Sequence, residues 1–232
     1  MGDHHPLKNI LVTSWLGSPL AGEPPDLDGV LAWELANRLG MKHARKMGRW
    51  TPPEEIQDVP IPLAKMTVGK YDVYRCSAPI LPEPLVPEWV DHMSKRFESS
   101  KLAMTIAPDE RKTVLVASGP YKSRFAPVRV RLVDRVCWFV RGDREGINKL
   151  LKSVKAIGTH RNIGYGWVYK WTYEEVDMDM SVFAPCKGKK VLMRTVPLNV
   201  PLEGVCGYKR SYGGWRPPYW HPAFHAEVAV PC

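Results

Sequence analysis

The sequence predicts an α+β fold in which helices pack on a sheet whose strands come from distant parts of the chain. Two segments repeat apolar residues at helical spacing, and several others alternate apolar and polar residues as strands do. In chain order they read strand, helix, strand, strand, helix, strand, which is the βαββαβ order of a ferredoxin-like domain. We expect this domain to occupy residues 1–176 and to carry a β-rich C-terminal extension, residues 177–232, packed on the same domain.

The first predicted strand covers residues 7–16, where apolar positions partly alternate with polar ones. A helix is predicted over residues 26–39, because leucines recur there at i, i+4 spacing. Asp26 or Asp28 would cap its N-terminus, and Gly40 would end it.

A proline-rich insertion is predicted over residues 41–100, in which eight prolines separate short apolar runs. Its composition favours an irregular segment with a few short strands over a second independent core. Pro87 suits the first turn of a helix, so a short helix is predicted over residues 87–96.

Strands resume after the insertion, at residues 101–106 and 113–117. The strongest strand signal of the chain follows at residues 128–140, with a turn or bulge expected at 133–135.

The second helix is predicted to begin at Asp143, a suitable N-cap residue. Apolar residues then recur at the spacing of a core-facing helix stripe, from Ile147 to Ile157. The last strand of the domain is expected at residues 167–173. Its four alternating aromatic residues would form one face of that strand, and we assign them to the core or to a subunit interface rather than to a base-stacking platform. They are Trp167, Tyr169, Trp171 and Tyr173.

Residues 158–166, called the glycine loop below, join the second helix to the last strand. Three glycines in nine residues allow positive φ angles and close approach of the backbone to a ligand. The loop is not a dinucleotide fingerprint, which runs from strand to helix, and it lacks the Gly-Lys-Ser/Thr ending of a P-loop. A purely structural interpretation, in which Gly158 ends the helix and Gly166 begins the strand, stays open beside a role in gripping a sugar-phosphate backbone.

Charge is concentrated around this loop. The chain carries a net charge of +9, but residues 101–172 alone hold 15 basic and 5 acidic side chains, a net +10. A concentrated basic field favours a polyanion, because neutralising phosphates releases counterions. We therefore favour nucleic acid over a basic surface that has no partner.

The segment from Tyr121 to Arg131 interleaves aromatic and basic side chains, as nucleic-acid-binding loops do. Bases stack on aromatic rings while lysine and arginine meet phosphates; the alternative is a solvated hairpin with ordinary surface cations. The candidate contacts are Tyr121, Lys122, Arg124, Phe125, Arg129 and Arg131.

Several other classes of site find no support. The five cysteines are widely spaced and include no close pair, so we expect free thiols and neither a disulfide framework nor a metal site. No cofactor motif is recognisable. No apolar run approaches the length of a membrane span and no secretory signal is visible, so a cytoplasmic protein is expected.

Two motifs carry a family resemblance. The glycine loop resembles the C-terminal glycine-rich loop of the RAMP superfamily of CRISPR-associated proteins, in which basic residues precede a Gly-aromatic-Gly step. Residues 27–33 resemble the start of the first helix in several members, particularly the Cas-five-like subunit of type IV effector complexes. The resemblance is spread over residues 7–173.

This resemblance implies an RNA-binding subunit of a ribonucleoprotein that defends against viruses or plasmids. Such a subunit holds the 5′ handle of the CRISPR RNA, caps the backbone filament and contacts the adjacent backbone and large subunits; contact with target DNA is left open. Residues 101–127 resemble the thumb-like hairpin that separates guide bases in related subunits. By position, the handle contacts are Gly158, His160, Arg161, Asn162, Gly164, Tyr165 and Gly166.

Two other functions remain open. His160 beside Arg161 could supply the base and the cation of a metal-independent endoribonuclease, and His43 could also approach a substrate. A histidine in a phosphate-gripping loop more often donates a hydrogen bond than cuts, so we expect no catalysis. The other alternative is a general RNA- or DNA-binding protein.

Overall fold

The computed structural model describes residues 6–41, 58–96, 98, 101, 116–118, 122–198 and 202–232. Two α-helices lie in this part of the chain, α1 (Leu27–Arg38) and α2 (Arg144–Leu151). The first eight strands are β1 (Lys8–Leu16), β2 (Leu20–Ala21), β3 (Lys65–Val68), β4 (Tyr71–Tyr74), β5 (Trp89–Lys95), β6 (Arg124–Arg131), β7 (Arg135–Gly142) and β8 (Val168–Glu175). The C-terminal strands are β9 (Phe183–Cys186), β10 (Lys189–Leu192), β11 (Val196–Pro197), β12 (Val205–Cys206), β13 (Tyr208–Gly214) and β14 (His225–Pro231).

The central sheet has the order β7-β1-β8, with both pairs antiparallel. Alternate residues of β1 and β7, such as Val12 and Trp138, are fully buried on one face, because side chains two apart share a face of a strand. Apolar residues of both helices, among them Leu31 and Ile147, belong to the same buried cluster. This is the α+β arrangement predicted from the sequence.

The outer edge of β7 is occupied by an irregular segment and not by a long strand. Isolated bridges join Leu63 to Gly142, Cys76 to Val140 and Ile80 to Cys137. These residues come from the predicted insertion, whose prolines remove the N–H groups that a continuous ladder needs. The strands predicted at 101–106 and 113–117 lie largely outside the described residues.

Helix ends and strand breaks follow the sequence only in part. The second helix was predicted to continue through the apolar stripe to Ile157, but α2 ends at Leu151, so Gly158 does not end it. Asp143 caps α2 as predicted, accepting hydrogen bonds from the N–H groups of Glu145 and Gly146 at 3.0 and 3.1 Å. The expected break at 133–135 separates β6 from β7. Side-chain capping of α1 was predicted wrongly: Asp26 occupies the N-cap position but makes no capping hydrogen bond, and Asp28 is turned into the core.

The helix predicted at 87–96 is also wrong, because Trp89–Lys95 is a strand, β5, paired antiparallel with β6 along its whole length. The ladder supplied by residues 124–131 satisfies backbone groups that a short isolated helix would leave unpaired, so pairing outweighs the local signal of Pro87. Among the described residues, no helix has the length and apolar character that crossing a membrane requires.

The C-terminal extension forms two small sheets, with the orders β12-β10-β9 and β11-β14-β13, around an apolar cluster that also includes Val73 of β4. A buried arginine links it to the central sheet and α1. Arg194 donates to Asp28 Oδ2 at 2.6 Å, to the carbonyl oxygen of Cys76 at 2.9 Å and to that of Trp215 at 3.1 Å. Tyr219 Oη also donates to Asp28 Oδ1, at 2.8 Å.

Candidate nucleic-acid interface

The glycine loop is closed at its base by backbone hydrogen bonds. The N–H of Ile157 donates to the carbonyl oxygen of Gly166 at 2.9 Å, and the N–H of Gly166 donates to that of Pro19 at 2.8 Å. Gly166 has a φ of +63°, and a Cβ atom there would overlap the carbonyl oxygen of Ile157. This glycine is therefore required by the closure of the loop, whatever the loop binds.

The first residues of the loop attach to the short strand β2. Thr159 donates to the carbonyl oxygen of Ala21 twice, from its N–H at 3.0 Å and from Oγ1 at 2.9 Å. Gly158 has a φ of +82°, and a Cβ atom there would lie 2.9 Å from the same oxygen. Because Ala21 pairs with Val130 in β6, the loop is fastened to the strand that carries the predicted basic segment.

The crest of the loop points its polar residues into solvent. His160, with φ 56° and ψ 29°, precedes a single 3-10 turn at Arg161–Ile163, and His160, Arg161 and Asn162 are all exposed. The Arg161 guanidinium lies over the Trp33 ring, 5.2 Å from its centroid. A guanidinium stacked in this way keeps its N–H groups at the edge, where a phosphate can reach them.

Trp33 is a part of the interface that the sequence analysis missed. It lies on α1 and is 48% exposed, whereas most residues of that helix, Val30 and Leu31 among them, are buried. The available signal was a large aromatic residue outside the leucine stripe that predicted the helix. Its proximity to Arg161 became visible only when the loop was placed beside the helix.

Strands β5 and β6 form a two-stranded ribbon, called the ribbon below, that is exposed on both faces over its outer part. Their register pairs Asp91 with Val128 and Ser94 with Phe125. Phe125 is 69% exposed, and its ring stacks on His92 with centroids 5.0 Å apart and an interplanar angle of 13°. The exposed basic residues of the ribbon include Arg124 and Arg129.

A contact between Tyr165 and Asp91 joins the glycine loop to the ribbon. The phenol donates to Asp91 Oδ2 at 2.5 Å, and the Tyr165 ring packs on a small cluster formed by Ala21, Val128 and Val130. The hydrogen bond from Tyr165 lowers the pKa of the Asp91 carboxyl, and the same bond raises the pKa of Tyr165. Two regions selected separately from the sequence therefore meet at one place.

The remaining candidates occupy different environments. Lys122 is exposed next to the ribbon, whereas Arg131 is only 15% exposed and is paired with Glu23 and Glu88 at 2.9 and 2.6 Å. Because both carboxylates engage its guanidinium, Arg131 holds the base of the ribbon, and its role as an RNA ligand stays a prediction. Tyr121, His43 and most of the predicted thumb-like hairpin at 101–127 lie outside the described residues.

The aromatic residues of β8 divide between two environments. Trp171 and Tyr173 pack against the core, and the Trp171 indole donates to the carbonyl oxygen of Val154 at 3.1 Å. Trp167 and Tyr169 are exposed, with ring centroids 6.4 Å apart. The first two therefore have the predicted core position, and an interface role for the other two stays a prediction.

Four exposed cations of the loop and the ribbon are available to a ligand. Within the described part of the chain, no ion pair involves Lys122, Arg124, Arg129 or Arg161. The same part of the chain contains no group of three or more His, Cys, Asp or Glu residues that could hold a metal ion. The surface thus offers cations and stacking rings to a polyanion.

A sequence profile of one protein family, CRISPR type IV associated protein Csf3, matches residues 10–231. No curated protein matches the chain. The matched region includes the glycine loop, the ribbon and the C-terminal extension, so all three lie inside the sequence that defines this family.

Proposed function

Because the chain belongs to the Csf3 family of type IV CRISPR-associated proteins, we propose that it holds the 5′ handle of the CRISPR RNA in the effector ribonucleoprotein. In this proposal it caps the backbone of the complex, contacts the neighbouring backbone and large subunits, and does not cut RNA. Family membership shows that the chain is associated with type IV CRISPR systems. Binding of the handle, the capping role and the absence of cleavage are our inference.

The observation that carries this proposal is the hydrogen bond between Tyr165 and Asp91. It holds the exposed crest of the glycine loop, including His160 and Arg161, next to a basic ribbon. A strand of RNA lying along the loop would meet phosphate-binding side chains from two elements that the fold keeps together. Preorganised cations lose less freedom when they bind, which favours affinity.

The two faces of the ribbon suit the separation of neighbouring bases. Cross-strand partners share a face of a sheet, so Asp91, Val128 and Arg124 lie on the face that meets the glycine loop. By the same alternation, His92 and Phe125 lie on the opposite face, where their rings stack. An RNA strand crossing the ribbon would find a cation on one side and a stacking platform on the other.

We also propose that the central sheet is a ferredoxin-like sheet with one irregular strand. The order β7-β1-β8, with α1 after β1 and α2 between β7 and β8, fits three of the four strands of that arrangement. Residues 63–80, which bridge to β7 at three points, take the place of the fourth.

A salt titration tests the proposed grip. We expect the triple variant Arg124→Ala, Arg129→Ala, Arg161→Ala to bind guide RNA more weakly. We also expect a plot of log affinity against log salt whose slope is smaller by about 2, since each lost phosphate contact on a single strand removes about 0.7. The matched control removes three exposed cations elsewhere on the surface, Lys70, Lys149 and Lys152. Equal losses in both variants would mean that only net charge matters and would contradict a defined grip.

A cleavage assay tests the proposed absence of catalysis. Repeat RNA incubated with the purified protein and EDTA should stay intact, because metal-free cleavage needs a base and an acid placed on either side of one phosphate. If the protein makes a single cut, which Trp33→Ala still makes and His160→Ala does not, the endoribonuclease alternative would be established instead.

A further inference from the structure

The C-terminal extension carries a second basic surface, built from the hairpin between β9 and β10 and from the neighbouring strand β13. We call it the basic edge. Its five cations are exposed, and none forms an ion pair in the described part of the chain. They are Lys187, Lys189, Lys190, Lys209 and Arg210.

The hairpin turn places a lysine where the backbone does not favour one. Cys186 pairs with Lys189, so Lys187 and Gly188 form a two-residue turn, with φ angles of 48° and 77°. Turns of this kind favour asparagine, aspartate or glycine at both central positions, because other side chains are strained at positive φ. Local conformation therefore does not explain Lys187, whereas a need for positive charge at the tip does.

The β-pairing connects the hairpin to β13. Lys190 pairs with Val205 in β12, and the chain passes from β12 through Gly207 directly into β13. Between residues 183 and 232 the carboxylate side chains are Glu203 and Glu227, so the five exposed cations outnumber them. The extension therefore carries net positive charge, and because neighbouring residues of a strand face opposite sides, Lys189 and Lys190, like Lys209 and Arg210, expose that charge on both faces.

An exposed aromatic ring lies on β13, opposite Glu227 of β14. Tyr212 is 70% exposed, and it shares a face of β13 with Arg210, two residues before it. Its ring meets that of His225 edge to face, with centroids 6.0 Å apart. Strand β13 is the last strand in its sheet, so its outer side is open to a ligand.

We propose that the basic edge binds a single-stranded nucleic acid, with its phosphates on the lysines and Arg210 and one base stacked on Tyr212. A duplex or an acidic protein segment would use the cations but would not need an exposed ring beside them, whereas unpaired bases stack on one. This site is made of elements other than the glycine loop and the ribbon. It would give the protein a second contact with RNA or with displaced DNA.

Lys187→Gly provides the sharpest test, because it should move stability and binding in opposite directions. Glycine relieves the strained φ, so the melting temperature should rise, while affinity for a labelled 20-mer of uridine or thymidine should fall about threefold with the lost phosphate contact. Unchanged affinity together with a raised melting temperature would show a merely structural lysine and would overturn the proposal.

A second set of variants of the full chain separates this site from the handle grip. Tyr212→Ala should weaken binding of both 20-mers about tenfold and Tyr212→Phe should not, since stacking needs the ring and not the hydroxyl. Arg161→Ala should instead reduce affinity for handle-containing RNA more than affinity for the 20-mers, since it weakens the handle grip and leaves the basic edge intact. Comparison of the two 20-mers tells RNA from DNA. Displacement by a polyglutamate peptide at equal charge concentration would assign the surface to an acidic protein and contradict us.

Discussion

Tyr165 donates a hydrogen bond from its phenol to Asp91 Oδ2 at 2.5 Å, across 74 positions of sequence. This contact links the glycine loop to the ribbon near the ribbon's base. Tyr165→Phe keeps the ring on its apolar cluster and removes only the bond, so we expect an unchanged fold, faster amide exchange in β5 and a several-fold loss of affinity for guide RNA. Asp91→Ala is the matched variant, because it removes the acceptor, and should have the same effect. If neither variant changes amide exchange or RNA affinity, the contact between Tyr165 and Asp91, called the joint below, does not organise the interface.

The pH dependence of this joint follows from the lowered pKa of Asp91. A carboxyl whose pKa is lower in the folded state stabilises the joint above its unfolded pKa, near 4, and loses that contribution as pH falls through the folded value. The joint is therefore complete at neutral pH. Amide exchange in β5 should be independent of pH between 6 and 8, once corrected for intrinsic rates.

Closure of the glycine loop depends on Gly166. Gly166→Ala combines a strained φ of +63° with overlap on the Ile157 carbonyl, and we expect it to lower the free energy of unfolding by about 3 kcal/mol. Gly164→Ala is the control, because Gly164 also has positive φ, +99°, but faces open space. It should cost about 1 kcal/mol. Urea titration of the two variants would contradict the account if their costs were equal.

Attachment of the C-terminal extension depends on the buried pair Arg194–Asp28, whose atoms lie 2.6 Å apart. Removing one partner leaves an unpaired buried charge, so Arg194→Ala should lower the free energy of unfolding by about 3–5 kcal/mol. Arg210→Ala, an exposed arginine of the same extension, should change it by less than about 0.5 kcal/mol. The two variants can be compared by denaturant titration at neutral pH.

Asp26 makes stability depend on pH in the opposite sense to Asp91. Burial, followed by the repulsion of Asp28, raises its pKa to about 6. A carboxyl whose pKa is higher in the folded state than in the unfolded state costs stability as pH rises from about 4 through 6, because the folded chain resists ionisation. We therefore expect Asp26→Asn to stabilise the protein at pH 7 by about 3 kcal/mol. The gain should vanish at pH 4, and thermal melts at both pH values check it.

Much of the architecture could be read from local patterns. The cap at Asp143 and the helix-to-strand polarity of the glycine loop are each properties of a short segment, and each predicted the structure around it, whereas the apolar stripe from Ile147 to Ile157 is helical only as far as Leu151. The α+β class followed from the order of such segments.

Contacts between distant segments left no local signal. Asp91 was assigned to a helix, so nothing suggested that it pairs with Tyr165. Arg194 and Asp28 are 166 positions apart, and a single charged residue in a sequence reads as exposed until a buried partner is known. The helix predicted at 87–96 in the insertion was wrong for a related reason, since strand β5 is stabilised by pairing with β6 and not by its own sequence.

Crosslinking of the assembled effector complex tests the central claim most directly. Guide RNA carrying 4-thiouridine in its 5′ handle is irradiated, and the crosslinked peptides of this chain are identified by mass spectrometry. We predict crosslinks in residues 122–131 and 158–166, and their loss when Arg161 and Tyr165 are replaced together. Handle crosslinks confined to other subunits, or to other parts of this chain, would contradict the proposal that the glycine loop and the ribbon hold the handle.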